Sequence, residues 1–110
     1  MHNIETLEAL EQFKQTEEAV MILFGGKHCG VCNTIQPKLL AMVKEYYPKM
    51  KMLYVDCQLA TEVCSQNGVL SLPTLQVFFS GQRFIEEVRT FSLQKVIQDI
   101  ERPYSMAFEE

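Results

Sequence analysis

The feature that most constrains this chain is a pair of cysteines between a short apolar segment and a long helical pattern. The apolar run Val20–Phe24 leads through two glycines into Cys29-Gly30-Val31-Cys32, and helical periodicity begins there. Residues three apart on a helix share one face and lie close together. Cys29 and Cys32 can therefore be bridged with little backbone movement. The sequence predicts a strand, a glycine turn and a helix that opens with a dithiol.

The position of the first cysteine predicts its reactivity. The first turn of a helix has unpaired N–H groups and roughly half a positive charge. This environment favours thiolate over thiol, so we expect the pKa of Cys29 to lie below the free value of about 8.5. The thiolate is the nucleophile, which makes Cys29 the candidate attacking sulfur. Cys32 lies one turn further in, where burial should keep it protonated, and Gly30 keeps the approach to both sulfurs open.

Composition narrows the class of protein. A chain of 110 residues with 47% apolar and 22% charged residues is typical of one soluble globular domain, spanning residues 1–110. Its net charge of −4 and scattered basic residues argue against nucleic-acid binding, and its apolar runs are too short to cross a membrane. The polar, acidic start is unlike a secretory signal, so we expect a cytosolic protein. In that compartment four cysteines favour catalysis or metal binding over a structural disulfide framework.

The periodicity along the chain predicts alternating strands and helices. The predicted strands are Asn3–Glu5, Ala19–Phe24, Met50–Val55, Thr74–Phe79 and Arg83–Val88, and the predicted helices are Leu7–Gln15, Gly30–Tyr47, Leu59–Asn67 and Leu93–Arg102. Thr6 and Ser92 are the expected helix caps, Pro37 should kink the long helix, and the tail from Tyr104 should be frayed. This order predicts an α/β fold, a mixed sheet of about five strands with four helices on its two faces.

The pattern resembles the thioredoxin family over essentially the whole chain. The matching pieces are Cys29-Gly30-Val31-Cys32 after a buried strand, Pro37 five residues beyond the second cysteine, Val55-Asp56, Leu72-Pro73-Thr74 and the turn Phe78-Phe79-Ser80-Gly81-Gln82. Two cysteines alone are weak evidence for this family, because such pairs also bind zinc. A pair at a strand-to-helix turn, followed by a Pro-Thr dipeptide before a strand, is strong evidence for it. The resemblance implies the thioredoxin fold.

The resemblance also implies where substrate binds. The Leu72–Pro73 bond should be cis and lie beside the sulfurs, and Pro73 should keep a metal ion from the two thiols. The backbone of Leu72 should pair with the substrate chain as an extra strand, a form of β-augmentation. The implied substrate-binding residues are His28, Gly30, Val31, Leu72, Pro73 and Thr74.

Four positions depart from the family pattern. The usual tryptophan before the first cysteine is His28, and the usual proline after the glycine is Val31. The aspartate that the family buries six residues before the first cysteine is Leu23, and strand register places the lysine that pairs with it at Met52. Apolar surroundings raise the pKa of a buried thiol. We therefore expect Cys32 to be harder to deprotonate, so that its reaction depends on water or on a substrate group.

His28 has two interpretations. It can be a solvated loop residue, or it can take the place of the missing tryptophan as a surface that faces the substrate. A positive Lys27-His28 pair would also stabilise the neighbouring thiolate and lower the pKa of Cys29.

The other two cysteines also allow more than one interpretation. The four cysteines could share a zinc ion, but the spacing of Cys57 and Cys64 fits no common zinc knuckle. We favour ordinary buried thiols. Seven residues on one helix span about 10 Å, too far for a relaxed disulfide, so a bridge should require local unwinding. Some animal thioredoxins use cysteines at similar places for regulation, which keeps a secondary redox switch as the alternative.

The sequence thus predicts a small thiol–disulfide oxidoreductase that reduces protein disulfides. Cys29 should attack a substrate disulfide, and Cys32 should then attack Cys29 and release the reduced substrate. The resemblance implies that NADPH supplies electrons through a thioredoxin reductase and that no cofactor or metal is bound. We expect a cytoplasmic monomer whose partners are disulfide-containing proteins.

Two other functions stay open. The first is an oxidase or isomerase that donates disulfides. The second is an adaptor that binds a partner protein around Leu72 and Pro73, with the cysteines as a redox sensor.

Overall fold

In the computed structural model, which describes residues 1–108, five strands and four helices alternate in the predicted order. They are β1 (His2–Ile4), α1 (Leu7–Thr16), β2 (Ala19–Gly25), α2 (Gly30–Tyr46), β3 (Lys51–Asp56), α3 (Thr61–Gln66), β4 (Thr74–Phe79), β5 (Gln82–Val88) and α4 (Leu93–Phe108). The predicted architecture of a mixed sheet with four helices is confirmed. None of the helices in this part of the chain is long and apolar enough to cross a membrane.

The sheet brings the ends of three strands to one edge. Its strand order is β1-β3-β2-β4-β5, with β1, β3 and β2 parallel and with β4 and β5 antiparallel to their neighbours. Gly25 at the end of β2 pairs with Asp56 at the end of β3. Phe24 pairs with Thr74, the first residue of β4. The turn that carries the cysteines, the loop after β3 and the segment before β4 therefore meet at the same edge.

Two apolar cores cover the two faces of the sheet. Strand β2 contributes Met21 and Leu23 to the core beneath α2 and α4, and Ile22 and Phe24 to the core beneath α1 and α3. All four side chains are fully buried. A strand with helices on both faces has no solvated side, which explains why β2 is a continuous apolar run rather than an alternating one.

The helix caps that the sequence predicts at Thr6 and Ser92 are confirmed. The Thr6 hydroxyl accepts the N–H of Ala9 at 3.1 Å, and the Ser92 hydroxyl accepts the N–H of Lys95 at 3.1 Å. Each satisfies one of the donors that a helix start leaves unpaired. Gly68 follows α3 with a φ of +71°, the left-handed conformation in which glycine ends a helix without steric cost.

The prediction of a frayed tail is wrong for the residues that the structure describes. Helix α4 continues through Pro103 to Phe108, whereas residues 109–110 lie outside the described range. Tyr104 is only 3% exposed, and its ring centroid lies 4.7 Å from those of Tyr47 and Phe108. Proline removes one backbone hydrogen bond, and the packing of the buried Tyr104 ring against Tyr47 and Phe108 offsets this loss.

The interpretation of the second cysteine pair as free buried thiols is also wrong. Cys57 and Cys64 form a disulfide with a Cα–Cα distance of 5.7 Å. The predicted helix start was two residues too early, because α3 begins at Thr61. The Asp56 carbonyl accepts the N–H of Ala60 at 2.8 Å, so a turn precedes the helix and returns Cys57 toward its first turns. The unwinding that a bridge requires is thus part of the folded structure.

Replacement of Tyr104 tests the extended helix. Tyr104→Ala should lower the free energy of unfolding by about 3 to 5 kcal/mol, because it removes a packed aromatic ring. Tyr104→Phe should cost about 1 kcal/mol, since it loses only the hydrogen bond that the hydroxyl accepts from the N–H of Lys49 at 3.1 Å. Urea unfolding followed by circular dichroism measures both. Met106→Ala, at a residue 73% exposed, is the control and should have little effect. Equal, small effects of Tyr104→Ala and Met106→Ala would contradict a packed C-terminal turn.

The second disulfide should stabilise the oxidised protein. A bridge that closes a short loop contributes about 2 kcal/mol by restricting the unfolded chain. We compare the free energy of unfolding of the double variant Cys57→Ala/Cys64→Ala with that of the wild type in two buffers. The variant's loss of stability should be about 2 kcal/mol larger in oxidising buffer than in dithiothreitol. The cost of replacing the buried Cys64 side chain is common to both buffers and cancels in the comparison. A stability difference that does not change with reductant would show that the bridge contributes nothing.

Candidate active site

Cys29 and Cys32 lie where the sequence predicts, at the start of α2. Cys29 is the N-cap of this helix, Cys32 is in its first turn, and the two form a disulfide with a Cα–Cα distance of 5.2 Å. The Cys29 sulfur accepts the backbone N–H of Cys32 at 3.2 Å. This is the usual arrangement of a capping side chain, with sulfur in place of oxygen. The same N–H stabilises negative charge on the sulfur when the disulfide opens.

The two sulfurs differ in exposure. Cys29 is partly exposed, whereas Cys32 is completely buried. Between them, Gly30 is exposed, and a β-carbon at that position would meet nothing within 4 Å; Val31 is 49% exposed. A large substrate can therefore reach the outer sulfur but not the inner one. This geometry supports attack by Cys29 and a later, internal reaction of Cys32.

Hydrogen bonds hold the turn that precedes the dithiol. The N–H of Cys29 donates to the Gly26 carbonyl at 3.1 Å, which closes the turn. The N–H of Lys27 donates to the Gln58 side-chain oxygen at 3.1 Å, which joins the turn to the loop after β3. The side chains of Lys27 and His28 are exposed at the rim of the site. His28 is therefore placed to meet solvent or substrate rather than the protein core.

The segment before β4 lies against this turn. The Leu72–Pro73 peptide bond is cis, as the resemblance implies. The Leu72 side chain lies 3.4 Å from the position of a β-carbon at Gly26, so it borders the cysteine turn. Thr74 is 2% exposed, and its hydroxyl donates to the Ser71 carbonyl at 2.6 Å. Thr74 thus supports the turn from inside. The resemblance implies that Thr74 binds substrate, but its buried side chain does not face solvent.

The apolar side chains near Cys32 are placed slightly differently from the prediction. Leu23 is fully buried and Met52 is 8% exposed, on the same face of the sheet. Their strands do not pair them directly, however, because Leu23 pairs with Tyr54 and Met52 pairs with Met21. The residue opposite Leu23 is therefore Tyr54, and Met52 lies two residues earlier on the same face of the sheet.

Tyr54 is the residue near the dithiol that sequence reasoning missed. A β-carbon built on Gly25 would lie 2.7 Å from the Tyr54 hydroxyl oxygen and 3.0 Å from the Cys32 sulfur. The absence of a side chain at Gly25 leaves the space that these two atoms border. Burial, and to a smaller extent the Asp56 carboxylate, raise the pKa of Tyr54 above its usual value. Period-two alternation along β3 was the signal that could have placed Tyr54 on this face.

The second disulfide adjoins the active site. The N–H of Cys57 donates to the carbonyl of Gly25 at 2.8 Å, which ties the bridge to the end of β2. Each of the four sulfurs is in one of two disulfides, and residues 1–108 contain no group of three or more side chains arranged to hold a metal ion. The chemistry visible in this arrangement is thiol–disulfide exchange.

Comparison with known proteins agrees with the site and the fold. Residues 3–102 match the family model described as Thioredoxin. Thioredoxin-like protein YdfQ of Bacillus subtilis is 24% identical over 106 residues, which cover 96% of this chain and 94% of that protein. Thioredoxin 1 of a Nostoc species is 32% identical over 75 residues, covering 64% and 70% of the two chains. A structure of Plasmodium falciparum thioredoxin has the same fold, with a TM-score of 0.81 at 23% identity over 89% of this chain and 97% of that one.

These matches extend over nearly the whole sequence and coincide with a redox-active cysteine pair at a strand-to-helix turn. On this evidence the chain belongs to the thioredoxin family of thiol–disulfide oxidoreductases.

Proposed function

We propose that this protein is a protein-disulfide reductase. In the reduced protein the Cys29 thiolate attacks one sulfur of a substrate disulfide; a Cys29–substrate bond forms, and the other substrate sulfur leaves as a thiolate. Cys32 then loses its proton to water and attacks Cys29. The Cys29–Cys32 bond forms, the mixed disulfide breaks, and the substrate sulfur leaves with the electron pair and takes up a proton. The substrate gains two electrons, and the protein dithiol becomes a disulfide.

The observation that carries this proposal is the asymmetry of the cysteine pair. The outer sulfur caps a helix and accepts a backbone N–H at 3.2 Å, and the inner sulfur is fully buried one turn away. Such an arrangement activates one nucleophile and reserves the second for the internal step. A structural disulfide needs neither the helix start nor the difference in exposure.

The surface around the dithiol supports a protein substrate. Exposed apolar side chains lie on each of the three segments that border it, namely Val31, Leu59 and Leu70. In our proposal these side chains, His28, Gly30 and the Leu72–Pro73 segment bind an extended polypeptide with apolar side chains. In our proposal the backbone at Leu72 pairs with that polypeptide.

The remainder of the cycle is proposed from family membership. Electrons come from NADPH through a thioredoxin reductase, and the protein works in the reducing cytoplasm without a bound cofactor. We further propose a monomer. The two edge strands support this, because β1 has only three residues and β5 carries exposed charged side chains, both of which disfavour pairing with another sheet.

Insulin reduction tests the proposed activity. The wild type should accelerate the reduction of insulin disulfides by dithiothreitol, measured as the turbidity of the released B chain. Cys29→Ser should reduce this acceleration to the uncatalysed rate, because it removes the nucleophile. Cys32→Ser should accumulate a mixed disulfide with insulin that mass spectrometry detects. Cys57→Ala/Cys64→Ala is the matched control and should retain activity within about threefold, since its sulfurs take no part in the cycle.

The same assay separates the alternatives. Failure of Cys32→Ser to trap insulin covalently, with no acceleration by the wild type, would favour a partner-binding adaptor. An oxidase or isomerase would instead show no turnover with NADPH and thioredoxin reductase, and a reduction potential well above about −270 mV, the value typical of thioredoxin.

A further inference from the structure

We propose that the Tyr54 hydroxyl donates a hydrogen bond to the Cys32 sulfur once the disulfide opens, and so stabilises the buried thiolate at a site where Leu23 replaces the carboxyl group of the usual family pattern. The inference rests on the proposed function, because it concerns how Cys32 is prepared to resolve the mixed disulfide. It assigns Tyr54 a role in positioning and stabilising Cys32, and it assigns Gly25 the role of making room.

The geometry at Gly25 is the first argument. The Tyr54 oxygen and the Cys32 sulfur lie 2.7 and 3.0 Å from the position that a β-carbon would take at Gly25. The side chain of any residue other than glycine would therefore crowd both the hydroxyl and the sulfur. Real β-carbon contacts are essentially never this short, so a side chain at position 25 would force one of the two groups to move.

The lack of another partner for the hydroxyl is the second argument. Within residues 1–108 no protein group bonds the Tyr54 hydroxyl in the disulfide form, and the hydroxyl reaches solvent, since no buried side-chain oxygen in this range lacks a partner. Neighbouring Leu23 and Met52 are apolar and offer it no acceptor. When the disulfide opens, Cys32 becomes a charged acceptor near a hydroxyl that no protein group engages. A hydrogen bond to a charged group is stronger than one between neutral groups.

The surroundings of the Tyr54 ring keep the hydroxyl protonated, so that it can donate a hydrogen bond. The titratable groups that face Tyr54 from the packed elements are Asp56 on β3, Glu5 between β1 and α1, and Cys32 on α2. Asp56 and Glu5 line a cavity of about 180 Å³ together with Tyr54. Burial and the Asp56 carboxylate both raise the pKa of Tyr54, so the phenol keeps its proton at neutral pH.

The proposed hydrogen bond acts on one step, the deprotonation of Cys32, and Tyr54 itself is unchanged at the end of the reaction. Cys32 loses its proton to water, and the Tyr54 O–H stabilises the resulting thiolate. The thiolate then attacks Cys29, and the Cys29–Cys32 bond forms as the bond from Cys29 to the substrate sulfur breaks. The negative charge leaves with the substrate sulfur, and the Tyr54 hydroxyl returns to its uncommitted state. A hydrogen-bond donor at this place favours deprotonation of Cys32, which the apolar Leu23 and Met52 oppose.

A two-phase reaction with an aromatic disulfide tests the inference on the full chain. Reduced protein in the Cys57→Ala/Cys64→Ala background reacts with excess dithiobis(nitrobenzoate). The first thionitrobenzoate released reports attack by Cys29, and the second, released from the mixed disulfide in a concentration-independent step, reports attack by Cys32. Tyr54→Phe should slow the second phase about tenfold at neutral pH and move its pH midpoint upward, because the thiolate loses a hydrogen bond. The first phase should not change.

A matched control makes the result specific. Tyr46→Phe, at a tyrosine 56% exposed, should leave both phases unchanged. A second phase with the same rate and pH midpoint in Tyr54→Phe as in its parent overturns the inference. Absence of the first phase instead contradicts the proposed function itself.

Discussion

The pairing of β2 with its two neighbours is the constraint on which the rest of the molecule depends. Gly25 pairs with Asp56 on one side, and Phe24 pairs with Thr74 on the other. This register alone brings three segments that are distant in sequence to one edge of the sheet. Because every side chain of β2 is buried against one of two cores, a shift by one residue would exchange its faces and place each side chain in a core packed around a different residue. The position of the dithiol relative to Leu72 and Pro73 is therefore set by core packing.

The same packing explains the unusual surroundings of the inner sulfur. The face of β2 that bears Leu23 belongs to the larger core beneath α2 and α4, where fully apolar side chains pack closely. A carboxylate at that place would need a partner to offset the loss of water. This chain has a leucine instead, and the Tyr54 hydroxyl of the neighbouring strand and the Cys32 sulfur both border the position where Gly25 has no side chain. Proton handling and packing are thus determined by the same few residues.

Most of the fold could be predicted from local patterns, because those patterns agree with the tertiary structure. The bounds of β4 were predicted without error, and Thr6 and Ser92 cap their helices as expected. The cysteine pair was found because its chemistry depends on neighbours in sequence. Substrate-facing roles for His28 and Leu72 depend on a partner molecule and stay predictions.

The errors arose where distant contacts outweigh a local rule. Pro103 is a helix-ending signal, but burial of Tyr104 against another helix keeps α4 intact. The bridge between Cys57 and Cys64 depends on a turn whose hydrogen bonds no spacing rule reveals. Tyr54 could be placed on the correct face by alternation, but its meeting with Cys32 depends on strand register and on an empty position at Gly25.

The presence of two disulfides on one small chain has a consequence for how its reducing capacity is counted. Each bridge accepts two electrons, so the fully reduced molecule stores four. Thiol titration, which counts sulfhydryl groups without regard to place, will therefore register two overlapping couples. A reduction potential obtained by fitting such data to a single couple therefore describes neither bridge. Any quantitative comparison of this protein with relatives that carry one dithiol must first assign the electrons to their sulfurs.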